Sequence, residues 1–241
     1  MTYDWLAAIV FIALNIAVMK LGPWLVFKVP ALAQMRALNR EADKVKMSRQ
    51  SYRDAVKVNM RAGMWTNYVF YAALLPFCVS FDARPLWQHG VEILAVLLIF
   101  DFMYYLTHRF LFHDGPLRKV HALHHQARKP THIDAQYVHP IETVIGLSLF
   151  LVSLPIVALI EGAPLNVFSA AIATILFTQL NTINHTYVNL PYFPFKHLTY
   201  ITGVHAAHHV DMNHGNYATL TMLYDRIFGT YEAPVSRPTA S

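Results

Sequence analysis

LLIFDFMYYLTHRFLFH, residues 97–113, begins as an apolar run broken only by Asp101 and ends in two histidines. Eight residues later HALHH (121–125) puts three histidines into five positions, and HAAHH (205–209) repeats the arrangement. Fourteen histidines scattered at random would give about 0.05 copies of His-x-x-His-His in this chain, so two copies need a cause. Apolar helices that deliver histidines at their ends describe an all-α, multi-pass membrane protein with a histidine-rich helical cap.

Composition agrees. Of 241 residues, 55% are apolar and only 14% charged, where soluble domains carry roughly a quarter. The single cysteine, Cys78, excludes an intramolecular disulfide and any cysteine-rich zinc or iron–sulfur site. The net charge is +5. Its basic residues cluster beside apolar segments, which favours anionic lipid headgroups over nucleic acid. The N-terminal MTYD has no basic region and no cleavage site follows it, so it does not read as a signal peptide.

Five apolar segments stand out: 5–27, 64–81, 91–107, 143–160 and 164–183. Each is near the roughly 20 residues that cross a hydrocarbon core, giving four to five membrane helices. Only 161–163 joins the last two, so they form a hairpin whose depth length does not decide. Residues 28–63 carry nine basic and three acidic side chains, and 108–142 carry five basic ones. The loop 82–90 has one basic residue and the 161–163 turn has none. The positive-inside rule then puts both basic loops, and the histidines, in the cytoplasm. Stretches 108–139 and 185–214 share that side and are free to meet. Residues 28–63 read as a polar interfacial segment and 233–241 as a loose tail. The chain divides into 1–90, a histidine-bearing unit 91–232, and that tail.

In a helix, positions i, i+3 and i+4 share a face, so His121, His124 and His125 project together, as do His205, His208 and His209. Neutral imidazole ligates iron, zinc, copper and nickel. Two such triplets facing each other can surround two ions. His108 and His113 lie about 140° apart on an α-helix, which suits a helix end with one histidine reaching each metal. Asp101 aligns with Tyr104 and His108, and a carboxylate inside an apolar span needs a reason, such as orienting a ligand histidine. His185 ends the last span. His139 joins the ligand candidates, with His214 beside it. His89, His132 and His197 read as surface or packing residues, and Asp225–Arg226 as a salt bridge closing the cap. The chain has no His-Glu-x-x-His, no Glu-x-x-His, no Gly-x-Gly-x-x-Gly and no P-loop. Zinc-peptidase chemistry, carboxylate-bridged di-iron bundles and nucleotide cofactors are therefore unsupported.

The ordered set DFMYYLTHRFLFH, HALHH, YVHPIET, NHTYVNLP, HAAHH and GNYATLTMLYDRIFGTY resembles the fatty acid hydroxylase/sterol desaturase superfamily of membrane di-iron oxidoreductases. The resemblance covers about residues 91–232. YVHPIE and GNYA are most similar to the sterol C4-methyl oxidase branch. The resemblance implies that His108, His113, His121, His124, His125, His185, His205, His208 and His209 bind two non-haem iron ions. Some members have a second histidine four residues after the one matching His185. Here that position is Asn189, leaving His139, His214 or water to complete a metal.

The resemblance also implies the chemistry: oxygen and external electrons hydroxylate a lipid C–H bond, or remove two hydrogens. The lipid, an acyl chain or a sterol, arrives from the bilayer. The electrons come from a separate ferredoxin or cytochrome b5-type protein with its reductase, since no cytochrome b5 domain is fused here. Two other classes stand beside this reading. A metal transporter would line a path through the spans, whereas these histidines lie outside them. A zinc hydrolase would need a carboxylate base, for which Glu142 and Asp211 are the nearest candidates.

Overall fold

The structure is a computed structural model and describes residues 3–235. It is almost entirely helical. Helix α1 (Trp5–Val26) starts where Asp4 Oδ1 accepts from Ala7 N at 2.8 Å, a standard N-cap. Helices α2 (Pro30–Met47) and α3 (Gln50–Ala73) form a hairpin around Ser48 and Arg49. A short α4 (Leu75–Cys78) and strand β1 (Val79–Ser80) follow. Helix α5 (Leu86–Thr107) runs directly into a π turn, His108–His113. The short α6 (Arg118–His121) and two 3-10 turns, His124–Gln126 and His132–Gln136, lead to α7 (Pro140–Glu161). Strand β2 (Leu165–Asn166), α8 (Val167–Asn184), α9 (Lys196–His208) and α10 (Leu223–Ile227) complete the chain.

Among the described residues, four helical stretches are long and apolar enough to cross a membrane: Trp5–Val26, Leu86–His113, Pro140–Glu161 and Val167–Asn184. The expected segment 64–81 is not one of them. Its apolar residues are the second half of α3, whose first half is charged and belongs to the cap. That helix stops at Leu74, and Pro76, which has no N–H to donate, sits in the short helix after it. Even so, α3 runs the same way as the spans. Its start reaches the cap, where Tyr52 bonds Asp134, and the turn after it meets the start of α1, where Asp4 N donates to Pro76 O at 2.9 Å.

The end remote from the histidines is closed by the chain's one parallel strand pair among the described residues, β1 against β2. Arg84 approaches the fully buried Glu92 at 3.5 Å and donates to Pro164 O at 3.0 Å. The α7–α8 turn uses Gly162 at φ +70°, a left-handed cap that glycine adopts without cost. Between the two ends the helices pack through a buried apolar core. Phe150 and Phe177 stack at 4.0 Å, and Phe100 meets them edge-on at 5.7 and 4.8 Å. The aromatic packing fills the bundle on the bilayer side of the histidines. Pro234 and Val235, placed in a loose tail by sequence, instead lie on α9, with Val235 N donating to Gly203 O at 3.2 Å. The rest of that tail lies outside the described residues.

Candidate metal centre

Nine buried histidines converge at the cap in two sets. His108, His113, His121, His125 and His208 form one, and His124, His185, His205 and His209 the other. Within each set the available ring nitrogens lie within 4.8 Å of one another.

The structure brings together nine of the histidines that the sequence singles out, but sorts them differently from their spacing on an ideal helix. The π turn is the first reason. Its hydrogen bonds close i→i+5, as in Asp114 N to Arg109 O at 2.9 Å. Residues five apart then return toward one face, so His108 and His113 join the same set instead of serving one metal each. The second reason is that α6 ends at His121 and His124 begins a tighter turn. HALHH therefore does not present a single face: His121 and His125 enter the five-histidine set and His124 the other. HAAHH does the converse, giving His205 and His209 to the four-histidine set and His208 to the five. Each triplet straddles both centres and ties them together.

The fit to metal follows from the two nitrogens of each ring. Nδ1 of His108 lies 2.7 Å from Tyr217 O, that of His113 3.0 Å from Met212 O, and that of His208 2.7 Å from Gly215 O. Nδ1 of His124 lies 3.2 Å from Tyr137 O and that of His185 3.1 Å from Asn181 O. A carbonyl only accepts, so each of these Nδ1 atoms carries the proton and each Nε2 presents a bare lone pair. Yet Nε2 atoms meet at 3.0 Å in His108–His121 and His124–His185, at 3.1 Å in His125–His208 and at 2.9 Å in His185–His205. In His124–His185 both outer nitrogens face carbonyls, and in His108–His121 they face a carbonyl and the Glu142 carboxylate, so there two lone pairs face each other at 3.0 Å and repel unless a cation lies among them. The Nε2 of His113 is buried without a hydrogen-bond partner, which fits the same account. Backbone carbonyls and carboxylates on the outer nitrogen are the usual partners of metal-bound histidine.

Burial keeps the rings neutral. It pushes His121 down to about 3. It also lowers His124, His125, His208 and His209, with neighbouring imidazoles adding to the effect. Protons are therefore poor competitors for these nitrogens.

One segment, 212–217, supplies three of the carbonyls. Gly215 permits the approach: a Cβ there would sit 2.0 Å from Thr230 O. Asn216 adopts φ +60° and is held by Val204 O and Glu232 O, each at 3.1 Å from its Nδ2. Two buried carboxylates gather the backbone that follows. Asp225 accepts from Tyr217 N at 2.8 Å, Ala218 N at 2.9 Å and Thr230 Oγ1 at 2.7 Å. The expected Asp225–Arg226 pair is absent among the described contacts; Arg226 stacks on Tyr231 instead, at 4.7 Å. Asp101 accepts from Thr219 N, Leu220 N and Thr221 N at 3.0, 2.9 and 3.1 Å. It thus holds the loop, and not a histidine as its alignment with His108 suggests, because its carboxylate faces α10's side of the bundle. Tyr104 is the residue that packs on His108, with ring centroids 5.1 Å apart.

Glu142, which the sequence offers only as a candidate hydrolase base, has a different part. Its carboxylate lies 2.9 Å from His121 Nδ1 and is buried. Its place in the first turn of α7, three residues after His139, is the available signal. His139 stands outside both sets: it caps α7, its Nδ1 accepting from Ile141 N at 3.2 Å. His214 is outside too, 3.6 Å from Glu232. Asn189 lines a surface groove of about 400 Å³. His89 bonds Ser169 at 2.7 Å at the remote end, while His132 and His197 are exposed.

The fatty acid hydroxylase family model matches residues 93–230. Methylsterol monooxygenase 1 of Rattus norvegicus is 32% identical over 158 residues, covering 63% of this chain and 50% of that protein. Protein CER1-like 2 of Arabidopsis thaliana is 28% identical over 185 residues, covering 70% of this chain and 30% of that one. Very-long-chain aldehyde decarbonylase GL1-6 of Oryza sativa subsp. indica is 26% identical over 181 residues, 69% of this chain and 28% of that one. The chain thus spans about half the length of the methylsterol monooxygenase and less than a third of the other two. No solved structure matches it significantly. A match over more than half the sequence, carrying all nine converging histidines, means that this chain belongs to the fatty acid hydroxylase family.

Proposed function

We propose that each histidine set holds one iron ion and that the pair hydroxylates a membrane lipid, an acyl chain or a sterol. The observation that carries this is the arrangement of nine neutral imidazoles, and almost no carboxylate, at the cap end of apolar helices. Bound iron supplies the oxidant that an unactivated C–H bond requires. The balance is that of a monooxygenase: one atom of O2 enters the C–H bond, the other leaves as water, and two electrons and two protons are consumed. We assign the supply of electrons to a carrier of the ferredoxin or cytochrome b5 type with its reductase. The names of the matched methylsterol monooxygenases support a lipid substrate; those of the aldehyde decarbonylases keep a different outcome at the same site in view.

The residues of this chain act by placement. The three carbonyls of 212–217 and the Glu142 carboxylate fix ring orientation, so that Nε2 points inward. Tyr104, packed against His108, walls the site toward the bilayer. The phenylalanine packing beneath keeps water from reaching the site through the bundle, which protects a reactive oxidant. The excess of basic residues in 28–63 and 108–142 supports a cytoplasmic cap.

The decisive variant is His124→Ala with His125→Ala, which removes one ligand from each set. Lipids of cells expressing the native chain or this variant, with and without oxygen, are compared by mass spectrometry. A lipid that gains one oxygen only with the native chain and with oxygen present supports hydroxylation. Loss of two hydrogens instead makes the enzyme a desaturase, and full activity in the double variant rejects the metal reading.

A further inference from the structure

The hairpin α2–α3 lies outside the matched region 93–230, yet its buried polar side chains hold backbone that leads to the metal centre, and mostly on one side of it. Asn39 is 3% exposed and uses its whole amide. Its Nδ2 donates to Met35 O and Tyr187 O, each at 2.8 Å, and its Oδ1 accepts from Tyr187 N at 2.9 Å and His132 N at 3.3 Å. Tyr187 is two residues after His185, so α2 grips the backbone that leaves this ligand. From α3, the Tyr52 hydroxyl donates to Asp134, a fully buried carboxylate that also takes Lys46 Nζ. Asp134 accepts from Thr131 N at 2.7 Å as well and so fixes the turn His132–Gln136. That turn ends at Tyr137, whose carbonyl receives His124 Nδ1, and whose ring stacks on Tyr52 at 3.9 Å and 3°.

His185 and His124 both belong to the four-histidine set. The five-histidine set takes its outer contacts from Met212, Gly215, Tyr217 and Glu142, none of which bonds to the hairpin. Helix α3 also packs along α7, which bears Glu142, and among the described hydrogen bonds the hairpin approaches that side once, through Thr143, bonded to Asn59. We infer that the α2–α3 hairpin is the brace of the four-histidine metal alone, with Asn39 and Tyr52 as positioning residues for His185 and His124. The two candidate sites are thereby braced by separate parts of the chain. The inference rests on the proposal that each set binds a metal.

The test uses the full-length chain with cobalt(II) alone as probe, its affinity measured by chelator competition and its visible absorption. His113→Ala with His208→Ala leaves the four-histidine set to be read by itself, and His205→Ala with His209→Ala leaves the five-histidine set. Tyr52→Phe and Asn39→Ala are placed singly in both backgrounds. Loss of an outer contact to a metal ligand costs about 10–100-fold in affinity, and Tyr52 and Asn39 stand one contact behind it, so a weakening of about 10-fold is the effect to read. That weakening is expected for the four-histidine set, with less than about 3-fold change in the other. Tyr52→Phe removes one hydroxyl and keeps the stacked ring, so its result stands if Asn39→Ala does not fold. Equal weakening of both sets, or none in the four-histidine set, overturns the brace. A native chain that binds no cobalt overturns the metal reading along with it, whereas two bound ions without selectivity overturn the brace alone.

Discussion

Gly215 shows how much of the centre depends on a missing atom. A Cβ there would meet Thr230 O at 2.0 Å, and that oxygen is fixed by Asn216 N at 2.9 Å. Gly215→Ala is expected to cost about 2–3 kcal/mol, as forced overpacking does. Thermal unfolding in detergent should show it, together with weaker metal binding through the displaced carbonyl on His208. The histidines set a second expectation. His121 is held at about 3 when folded, against about 6.5 in an unfolded chain. Between these values the unfolded state binds a proton that the native state refuses, so stability of the metal-free chain falls as pH drops below about 6.5. Denaturant midpoints should be lower at pH 5 than at pH 7.5; a higher midpoint at pH 5 contradicts the buried neutral rings. At this scale the sequence exposes the converging histidines well, because His-x-x-His-His spacing is rare and chemically specific. It hides their partners, because a backbone carbonyl such as Tyr217 O has no signature of its own. His139 misleads for a related reason: a histidine before proline at a helix start is as good a cap as a ligand.

At the scale of elements, the π turn His108–His113 is the feature that spacing on an ideal helix cannot foresee. One residue more per turn converts two divergent histidines into members of the same set. Removing the exposed Phe110 from that turn should restore α geometry, and His108 and His113, then four residues apart and about 40° around the axis, stay on one face. The expected result is retention of metal in both sets, measured as bound metal per chain. Loss of the five-histidine metal would mean that the π turn itself, and not the face the two histidines share, is what that set requires. The four apolar helices were legible from composition to within a few residues. α3 was not, because hydropathy sees only the apolar half of a helix whose other half is anchored in the cap by Tyr52 and Asn59.

At the scale of the whole molecule, three polar segments meet at one end: 28–63, 108–139 and 185–235. The shared side of the two histidine stretches follows from their flanking charge and from the even number of spans between them, and the contacts agree. Which face of a membrane that side occupies is a further question with a direct answer. Single cysteines at Ser51 and at Gln88, in a chain with Cys78 replaced by alanine, should be reached by an impermeant thiol reagent from opposite faces, Ser51 from the cytoplasm. Labelling of Ser51 from outside would reverse the orientation argued from basic residues. The same end of the molecule holds an unusual balance of charge. Nine neutral rings would cancel none of the charge of the proposed ions, and Glu142 is the one carboxylate paired with any of those rings among the described residues. A site so poor in anions penalises each further positive charge, so it favours the lower oxidation state of whatever metal it holds. Loaded as proposed, the centre would carry a high reduction potential, one that replacement of Glu142 by glutamine would raise further.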